Sequence, residues 1–253
     1  GSDSHTPTCG AMGMIAIGAG GLDVAVAMAT GTYYLQCPSV VKVNLVGKKA
    51  KWASAKDVIL YILQQLSVKG GVNKIIEYTG EGLKELSLTD RATICNMGAE
   101  LGATTSVFPT DEITKEYLIQ QGREEDYVEL KADEDATYDE EITVDLSKLV
   151  PLTAKPHSPD AVVPVSELRG MKINQVVIGS CTNSSLPDML KAAKILKGRR
   201  VATHVSLVIA PGSSSILAML SKCGALADMI ASGARILECG CGPCIGMGQA
   251  PLS

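Results

Sequence analysis

The chain has 253 residues, of which 46% are hydrophobic and 20% are charged, and its net charge is −4 at pH 7. This length and apolar content predict a globular protein with a large core and two or more domains. The slight acidity and the lack of a basic stripe with interleaved aromatics argue against nucleic-acid binding. No apolar run approaches the roughly 20 uncharged residues of a membrane span, so we expect no membrane association.

In the first half of the chain, strand patterns alternate with helix patterns. Strands are predicted at 40–47, 74–78 and 104–108, and helices at 54–66, 89–101 and 111–121. Ser54 is a suitable N-cap for the first of these helices. Upstream, the glycines of 18–21 lack the full dinucleotide-binding pattern, so we interpret them as a turn between core elements. The alternation predicts an α/β fold with a mostly parallel sheet.

An acidic, polar stretch from 124 to 141 is interpreted as a solvated connector. Four prolines, the first of them Pro151, then suggest a domain boundary. Beyond it a second α/β unit is predicted. Its strands are expected at 175–179, 204–210 and 235–238, and its helices at about 185–196 and 213–223.

Three cysteines carry the strongest chemical signal. Cys181 follows the first strand of the second unit, and Cys241 and Cys244 follow the third. Parallel strands place such loops on one edge of the sheet, so the thiols are expected close together. They could hold an iron–sulfur cluster, or a zinc ion with Cys239 or a histidine as fourth ligand. A thioredoxin-type dithiol is disfavoured, because only nine residues follow Cys244.

The surroundings of Cys181 favour an anionic centre. This residue precedes a predicted helix, whose first N–H groups and positive dipole end stabilise a thiolate. The neighbouring Thr182, Asn183 and Ser184 can donate hydrogen bonds to sulfur or to a carboxylate. The other cysteines (Cys9, Cys37, Cys95 and Cys223) are most simply interpreted as buried apolar residues, and eight irregularly spaced cysteines are typical of a reduced compartment.

Five separated segments, in this order, resemble the aconitase superfamily of iron–sulfur hydro-lyases, and most closely its mitochondrial-type aconitate hydratase branch. They are Asp-Ser-His-Thr-Pro at 3–7, Ala-Thr-Ile-Cys-Asn-Met-Gly-Ala-Glu at 92–100, Thr-Thr-Ser-Val-Phe-Pro at 104–109, Gly-Ser-Cys-Thr-Asn-Ser-Ser at 179–185 and Cys-Gly-Pro-Cys-Ile-Gly at 241–246. The resemblance runs through nearly the whole chain.

The resemblance implies a [4Fe-4S] cluster on Cys181, Cys241 and Cys244, with one iron left open to the substrate. That iron would act as a Lewis acid in converting citrate to isocitrate through cis-aconitate, a step of the tricarboxylic acid cycle. The substrate would be a small tricarboxylic acid, and the location the bacterial cytoplasm or the mitochondrial matrix.

The same resemblance assigns residues to the rest of the site. Asp3, Ser4 and His5 would be catalytic or substrate-binding: His5 would bond the iron-bound water, Ser4 a substrate carboxylate, and Asp3 would orient a histidine. Asn96 and Glu100 would form the polar shell of the cluster, with Glu100 also catalytic. Their i, i+4 spacing on a mostly apolar helix places them on one face.

Compared with the family, the chain resembles a middle fragment. Aconitase-like α/β/α domains would run as the end of a first domain (1–38), a second domain (39–150) and an incomplete third (151–253). The missing N- and C-terminal portions would be partners, without which we expect no turnover. The alternatives are the large subunit of an isopropylmalate or homoaconitate dehydratase, and a noncatalytic zinc- or cluster-binding module.

Overall fold

The computed structural model of the chain describes residues 1–246, which form two units, Gly1–Arg169 and a second unit beginning at Gly170. Each unit is built on a parallel sheet, which confirms the predicted α/β class. The division falls after Arg169, whereas the sequence suggests boundaries after residues 38 and 150; the three predicted domain limits remain predictions.

The sheet of the first unit has four parallel strands: β1 (Ser39–Val46), β2 (Lys74–Thr79), β3 (Thr105–Val107) and β4 (Glu140–Asp145). Their order across the sheet is β3–β2–β1–β4. Along β1 the side chains of Val41, Val43 and Leu45 are fully buried and those between them are half-buried. This alternation is what a strand with one face on the core requires.

The helices of this unit are α1 (Gly21–Thr30), α2 (Ala55–Leu66), α3 (Leu88–Met97) and α4 (Glu112–Gln120). Short 3₁₀ helices lie at Thr6–Met12, Glu81–Glu85, Gly98–Leu101, Glu124–Asp126 and Val165–Leu168. Ser54 caps α2, as predicted, in a capping box with Asp57. The other Asp57 oxygen accepts a 2.6 Å bond from the backbone N–H of Leu152, which ties α2 to an antiparallel hairpin of β5 (Leu152–Ala154) and β6 (Val162–Pro164).

Three expectations from the sequence are wrong. The glycines of 18–21 lead into helix α1 instead of a turn between core elements, and no residue of α1 is buried. The acidic connector also ends earlier than expected, because residues from Glu140 onward form β4. Of the four cysteines expected to be buried only Cys95 is; Cys9 is half-buried, and Cys37 and Cys223 are exposed.

The second unit has a three-stranded parallel sheet of β7 (Gln175–Gly179), β8 (Ser206–Ala210) and β9 (Arg235–Ile236), in that order. Its helices are α5 (Leu186–Leu196), α6 (Ser214–Lys222) and α7 (Ala225–Ala231), and a 3₁₀ helix follows at Pro243–Ile245. Met189, Ile209, Leu220 and Met229 form the centre of its core. Among residues 1–246 no single helix is long and apolar enough to cross a membrane; α6 and α7 would suffice only if added together, and they meet at 87°.

Candidate functional site

The first group of candidate residues lies at the start of the chain, where His5 is the residue just before the N-terminal 3₁₀ helix, Thr6–Met12. The backbone N–H of His5 donates to Asp3 Oδ1 at 2.7 Å. The ring of His5 lies 3.0 Å from Ser4 Oγ through Nδ1 and 3.4 Å from Glu100 Oε1 through Nε2. The structure therefore brings together four of the predicted site residues, which come from two distant parts of the first unit.

These contacts are partly open to solvent. Asp3 and Ser4 are exposed, while the side chains of His5 and Glu100 are 25% and 40% exposed. Ser4 also lines a cavity of about 360 Å³ together with Pro7, Ile17, Tyr33 and other residues. A serine hydroxyl at the edge of a cavity, in contact with a histidine ring, can bind a small acid and exchange a proton with that ring.

A close backbone approach holds the N-terminal 3₁₀ helix in place. Gly10 accepts a 2.9 Å bond from the backbone N–H of Phe108, just after β3. A Cβ atom at Gly10 would lie 1.7 Å from the carbonyl oxygen of Ser106, so only glycine fits there. The segment that carries Ser4 and His5 is in this way attached to the C-terminal end of β3.

Asn96 and Glu100 reach this segment by a different route from the one predicted. The helix α3 ends at Met97, and Glu100 lies in the 3₁₀ helix Gly98–Leu101. The two residues therefore do not share a continuous α-helical face. Asn96, only 2% exposed, donates from Nδ2 to the hydroxyl of Thr8 at 2.9 Å, and Glu100 contacts His5. Thr8 was not anticipated; the only signal in the sequence is its position one 3₁₀ turn after His5.

In the second unit, Cys181 lies in the loop that follows β7. Gly179, the last residue of β7, has a positive φ (97°), and so do Ser180 (131°) and Asn183 (50°) in the loop itself. Positive φ is uncommon outside glycine and concentrates at functional sites. The Ser184 hydroxyl donates to the Ser180 carbonyl and closes the loop. Cys181 itself is exposed.

The other two predicted ligands follow β9, and Cys244 lies in the 3₁₀ helix Pro243–Ile245. Because β7, β8 and β9 are parallel, the loops after β7 and β9 emerge from the same edge of the sheet. Cys241 and Cys244 are exposed, like Cys181. Within the described part of the chain, however, no three Cys, His, Asp or Glu side chains are close enough to hold a metal ion together. The ligand trio therefore remains a prediction.

The chemistry of this edge nevertheless fits a thiolate-bound centre. Three exposed thiols are the ligand type that iron–sulfur clusters and zinc take. In addition, Thr182 Oγ1 and Asn183 Oδ1 are buried atoms without a hydrogen-bond partner among residues 1–246. Buried polar atoms of this kind are uncommon unless a bound group or water satisfies them.

Sequence comparisons identify the family of the chain. The aconitase family (aconitate hydratase) matches residues 1–170 and 166–253, so the chain belongs to the aconitase family. The expected family resemblance is thereby confirmed.

Its curated relatives include large subunits of 3-isopropylmalate dehydratase. Large subunit 2 from Archaeoglobus fulgidus is 43% identical over 100% of this chain and 61% of its own length. The large subunits from Clostridium kluyveri and Caldicellulosiruptor saccharolyticus are 45% and 44% identical over 97% of this chain, and over 58% and 57% of their own lengths. The chain thus spans about three-fifths of the length of these relatives.

These relatives correct the branch expected from the sequence. The motifs suggested the mitochondrial-type aconitate hydratases, with citrate and isocitrate as substrates, whereas the relatives named above are 3-isopropylmalate dehydratase subunits from bacteria and an archaeon. Neither the tricarboxylic acid cycle nor a mitochondrial location is supported. Among solved structures, aconitase X from Thermococcus kodakaraensis matches 88% of this chain and 51% of its own with 18% identity and a TM-score of 0.48, a likeness too distant to carry an argument.

Proposed function

We propose that the chain is part of the large subunit of a hydro-lyase that removes and re-adds water on a hydroxy acid of the 3-isopropylmalate type. The observation that carries this proposal is the 43% identity to the Archaeoglobus fulgidus large subunit over the entire chain. Citrate, the substrate suggested by the motifs, becomes the second choice. A large subunit implies a smaller companion, so we propose a small subunit and the rest of the large subunit as partners, all in the cytoplasm.

In this proposal, Cys181, Cys241 and Cys244 hold a [4Fe-4S] cluster. When bound, the cluster supplies Lewis-acid polarisation of the C–OH bond that breaks. Exposed thiols at one sheet edge support this assignment, as does the Thr182 hydroxyl, which has no hydrogen-bond partner within residues 1–246. Structural zinc on the same thiols is the alternative that the experiment below distinguishes.

The residues of the first unit handle substrate and protons. An ionised Glu100 accepts from the Nε2–H of His5, which leaves Nδ1 to accept from the Ser4 hydroxyl. His5 can then take up a proton at Nδ1, and Ser4 rotates its hydroxyl to accept instead of donate. In this proposal the Ser4 hydroxyl bonds a substrate carboxylate, which its exposure at the edge of the cavity supports. Asp3 holds the turn through the backbone of His5.

The test is anaerobic reconstitution of the 253-residue chain with iron and sulfide, followed by metal analysis and absorbance assays of alkene formation. Assays use 3-isopropylmalate and citrate, with and without a small subunit and the remainder of a homologous large subunit. We expect iron and sulfide to bind, and 3-isopropylmalate to be dehydrated by the complemented protein. The proposal would be contradicted if the chain retained zinc in place of iron. It would also be contradicted if the complemented protein dehydrated citrate but not 3-isopropylmalate.

A further inference from the structure

We infer that Thr8 is a positioning residue of this site, whose hydroxyl links the backbone of His5 to the side-chain amide of Asn96. The roles of His5 and Asn96 in catalysis rest on the proposed function. The connection that Thr8 makes between them rests only on the hydrogen bonds of the structure. Thr8 touches no reacting atom and acts through its two neighbours.

The link consists of two hydrogen bonds that meet at one oxygen. Thr8 Oγ1 donates to the carbonyl oxygen of His5 at 2.7 Å, and Asn96 Nδ2 donates to Thr8 Oγ1 at 2.9 Å. Asn96 is 2% exposed, so water cannot readily replace its bond with Thr8. Hydrogen bonds that share an atom in such an environment reinforce one another.

The first bond decides the direction of the second. A hydroxyl carries a single proton, and a carbonyl oxygen can only accept, so the proton of Thr8 is committed to His5. The Thr8 oxygen can therefore only accept from Asn96, and Asn96 must present its NH₂ group. This settles the orientation of an amide whose two ends are otherwise hard to tell apart. The carbonyl oxygen of Asn96 is consequently held on the side away from Thr8, as an acceptor.

The link also sets how the N-terminal 3₁₀ helix lies against α3. His5 and Thr8 are three residues apart, which in a 3₁₀ helix places them on the same side. From that side His5 contacts Glu100 at 3.4 Å and Thr8 contacts Asn96 at 2.9 Å. The buried Thr8–Asn96 bond thus fixes the spacing across which the more exposed His5–Glu100 pair meets.

The experiment observes the side-chain amide of Asn96 in the ¹⁵N-labelled 253-residue chain by NMR, with Asn96→Asp identifying its resonances. We expect Thr8→Val, which keeps the shape but removes the hydroxyl, to shift these resonances and to speed their hydrogen exchange about fivefold, the equivalent of one ordinary hydrogen bond. Thr8→Ser should restore both.

Thr6→Val is the matched control. Thr6 Oγ1 donates to the carbonyl of Asp3 at 2.7 Å, the same i to i−3 bond that Thr8 makes with His5, but within residues 1–246 it has no bond to α3. We expect this variant to leave the Asn96 amide unchanged. An unmoved amide in Thr8→Val, or an equal shift in Thr6→Val, would overturn the inference.

The second measurement is urea unfolding. If Thr8→Val does not fold, Thr8→Ala replaces it in the NMR experiment and in the unfolding experiment. In urea unfolding of the single and double variants at positions 8 and 96, we expect a coupling of about fivefold in the unfolding equilibrium constant. Additive effects would overturn the inference. Neither measurement needs a cluster, a substrate or a second subunit, so its outcome is independent of whether the proposed function holds.

Discussion

Arg91 and Asp111 form a two-bond ion pair in which the arginine side chain is completely buried. Nη1 bonds Asp111 Oδ1 at 3.0 Å and Nη2 bonds Oδ2 at 2.6 Å, and the exposed fractions of the two side chains are 0% and 34%. Burial would raise the pKa of Asp111, but hydrogen bonds and charge from Arg91, with the backbone N–H groups of Thr114 and Ile113, outweigh it and lower the pKa. Since Asp111 also caps α4, this pair joins α3 to the start of α4.

Replacing Asp111 with asparagine keeps a residue that caps a helix equally well, but it removes the charge and turns one of the two oxygens that accept from Arg91 into an NH₂ donor. The variant leaves a buried guanidinium without its counter-charge. We expect the free energy of unfolding at pH 7 to fall by about 2 kcal/mol, the partial exposure of Asp111 moderating the larger cost of breaking a buried pair. Urea unfolding measures it.

The same variant gives a prediction for pH. A carboxyl whose pKa is lowered by folding contributes stability above its unfolded pKa of about 3.9 and loses it as the pH falls through the folded pKa. The stability difference between wild type and Asp111→Asn should therefore be largest near neutrality and shrink below about pH 4. A difference of constant size from pH 7 to pH 3 would contradict this assignment.

Asp57 offers a second stability test. Its carboxylate accepts from Ser54 N at 2.6 Å and from Leu152 N at 2.6 Å, and the residue is 5% exposed. Asp57→Ala removes a cap and leaves the Leu152 N–H unpaired, so we expect a loss of about 3 kcal/mol in urea unfolding. Asp90, which forms the same capping box with Ser87 at the start of α3, is the matched control. Asp90→Ala should cost about 1 kcal/mol; equal losses would mean that the bond to Leu152 is unimportant.

Gly10→Ala tests the close approach beneath the N-terminal 3₁₀ helix. The new Cβ would lie 1.7 Å from the Ser106 carbonyl oxygen, so backbone must move, and we expect a loss of about 3 kcal/mol or more. Chemical denaturation measures it, and the amide resonance of His5 should move as well. The control is Gly21→Ala in α1, where a Cβ would meet nothing within 4 Å. Similar losses in both variants would argue against the packing described here.

Cys181→Ser tests the proposed cluster. Mutating a residue that only hydrogen-bonds to a metal ligand typically lowers metal affinity roughly 10- to 100-fold. Because Cys181→Ser removes a proposed ligand itself, we expect iron binding to weaken at least about 100-fold. Iron and sulfide analysis after anaerobic reconstitution measures this. Cys223→Ser, an exposed cysteine of the same unit beyond β8, should retain iron. Equal iron content in both variants would remove Cys181 from the ligand set.

Elements with strong local signals could be predicted from the sequence. The cap of Ser54 on α2 and the strand β7 are examples, because a capping residue and a run of β-branched residues are local signals. None of the residues of β7 is fully buried, however, and Val177 is 42% exposed. In contrast, the sequence does not predict β4, whose first two residues fall within the expected acidic connector of 124–141. Its acidic residue Glu141 pairs with Lys42 of the adjacent strand β1 at 3.1 Å, and Glu140 pairs with Lys74 of β2, one strand further across the sheet, at 2.6 Å. Charge along the chain cannot reveal such cross-strand partners.

The candidate site was only partly predictable for a related reason. Family motifs indicated His5 and Glu100, which the structure brings to 3.4 Å. They did not indicate Thr8, whose role depends on the side that its 3₁₀ helix turns towards Asn96. They also placed Asn96 and Glu100 on one helix face, although α3 ends between the two residues, at Met97. Tertiary contacts decide both points.

The exposure of α1 has a consequence for how the first unit comes apart. Leu22, Val26 and Met28 are 78%, 50% and 82% exposed, so melting this helix uncovers almost no additional apolar surface. Its opening is therefore uncoupled from the collapse of the core, and its peptide bonds become available to a protease while the β1–β2 core is still intact. A brief digestion should cut within 21–30 before it reaches β1.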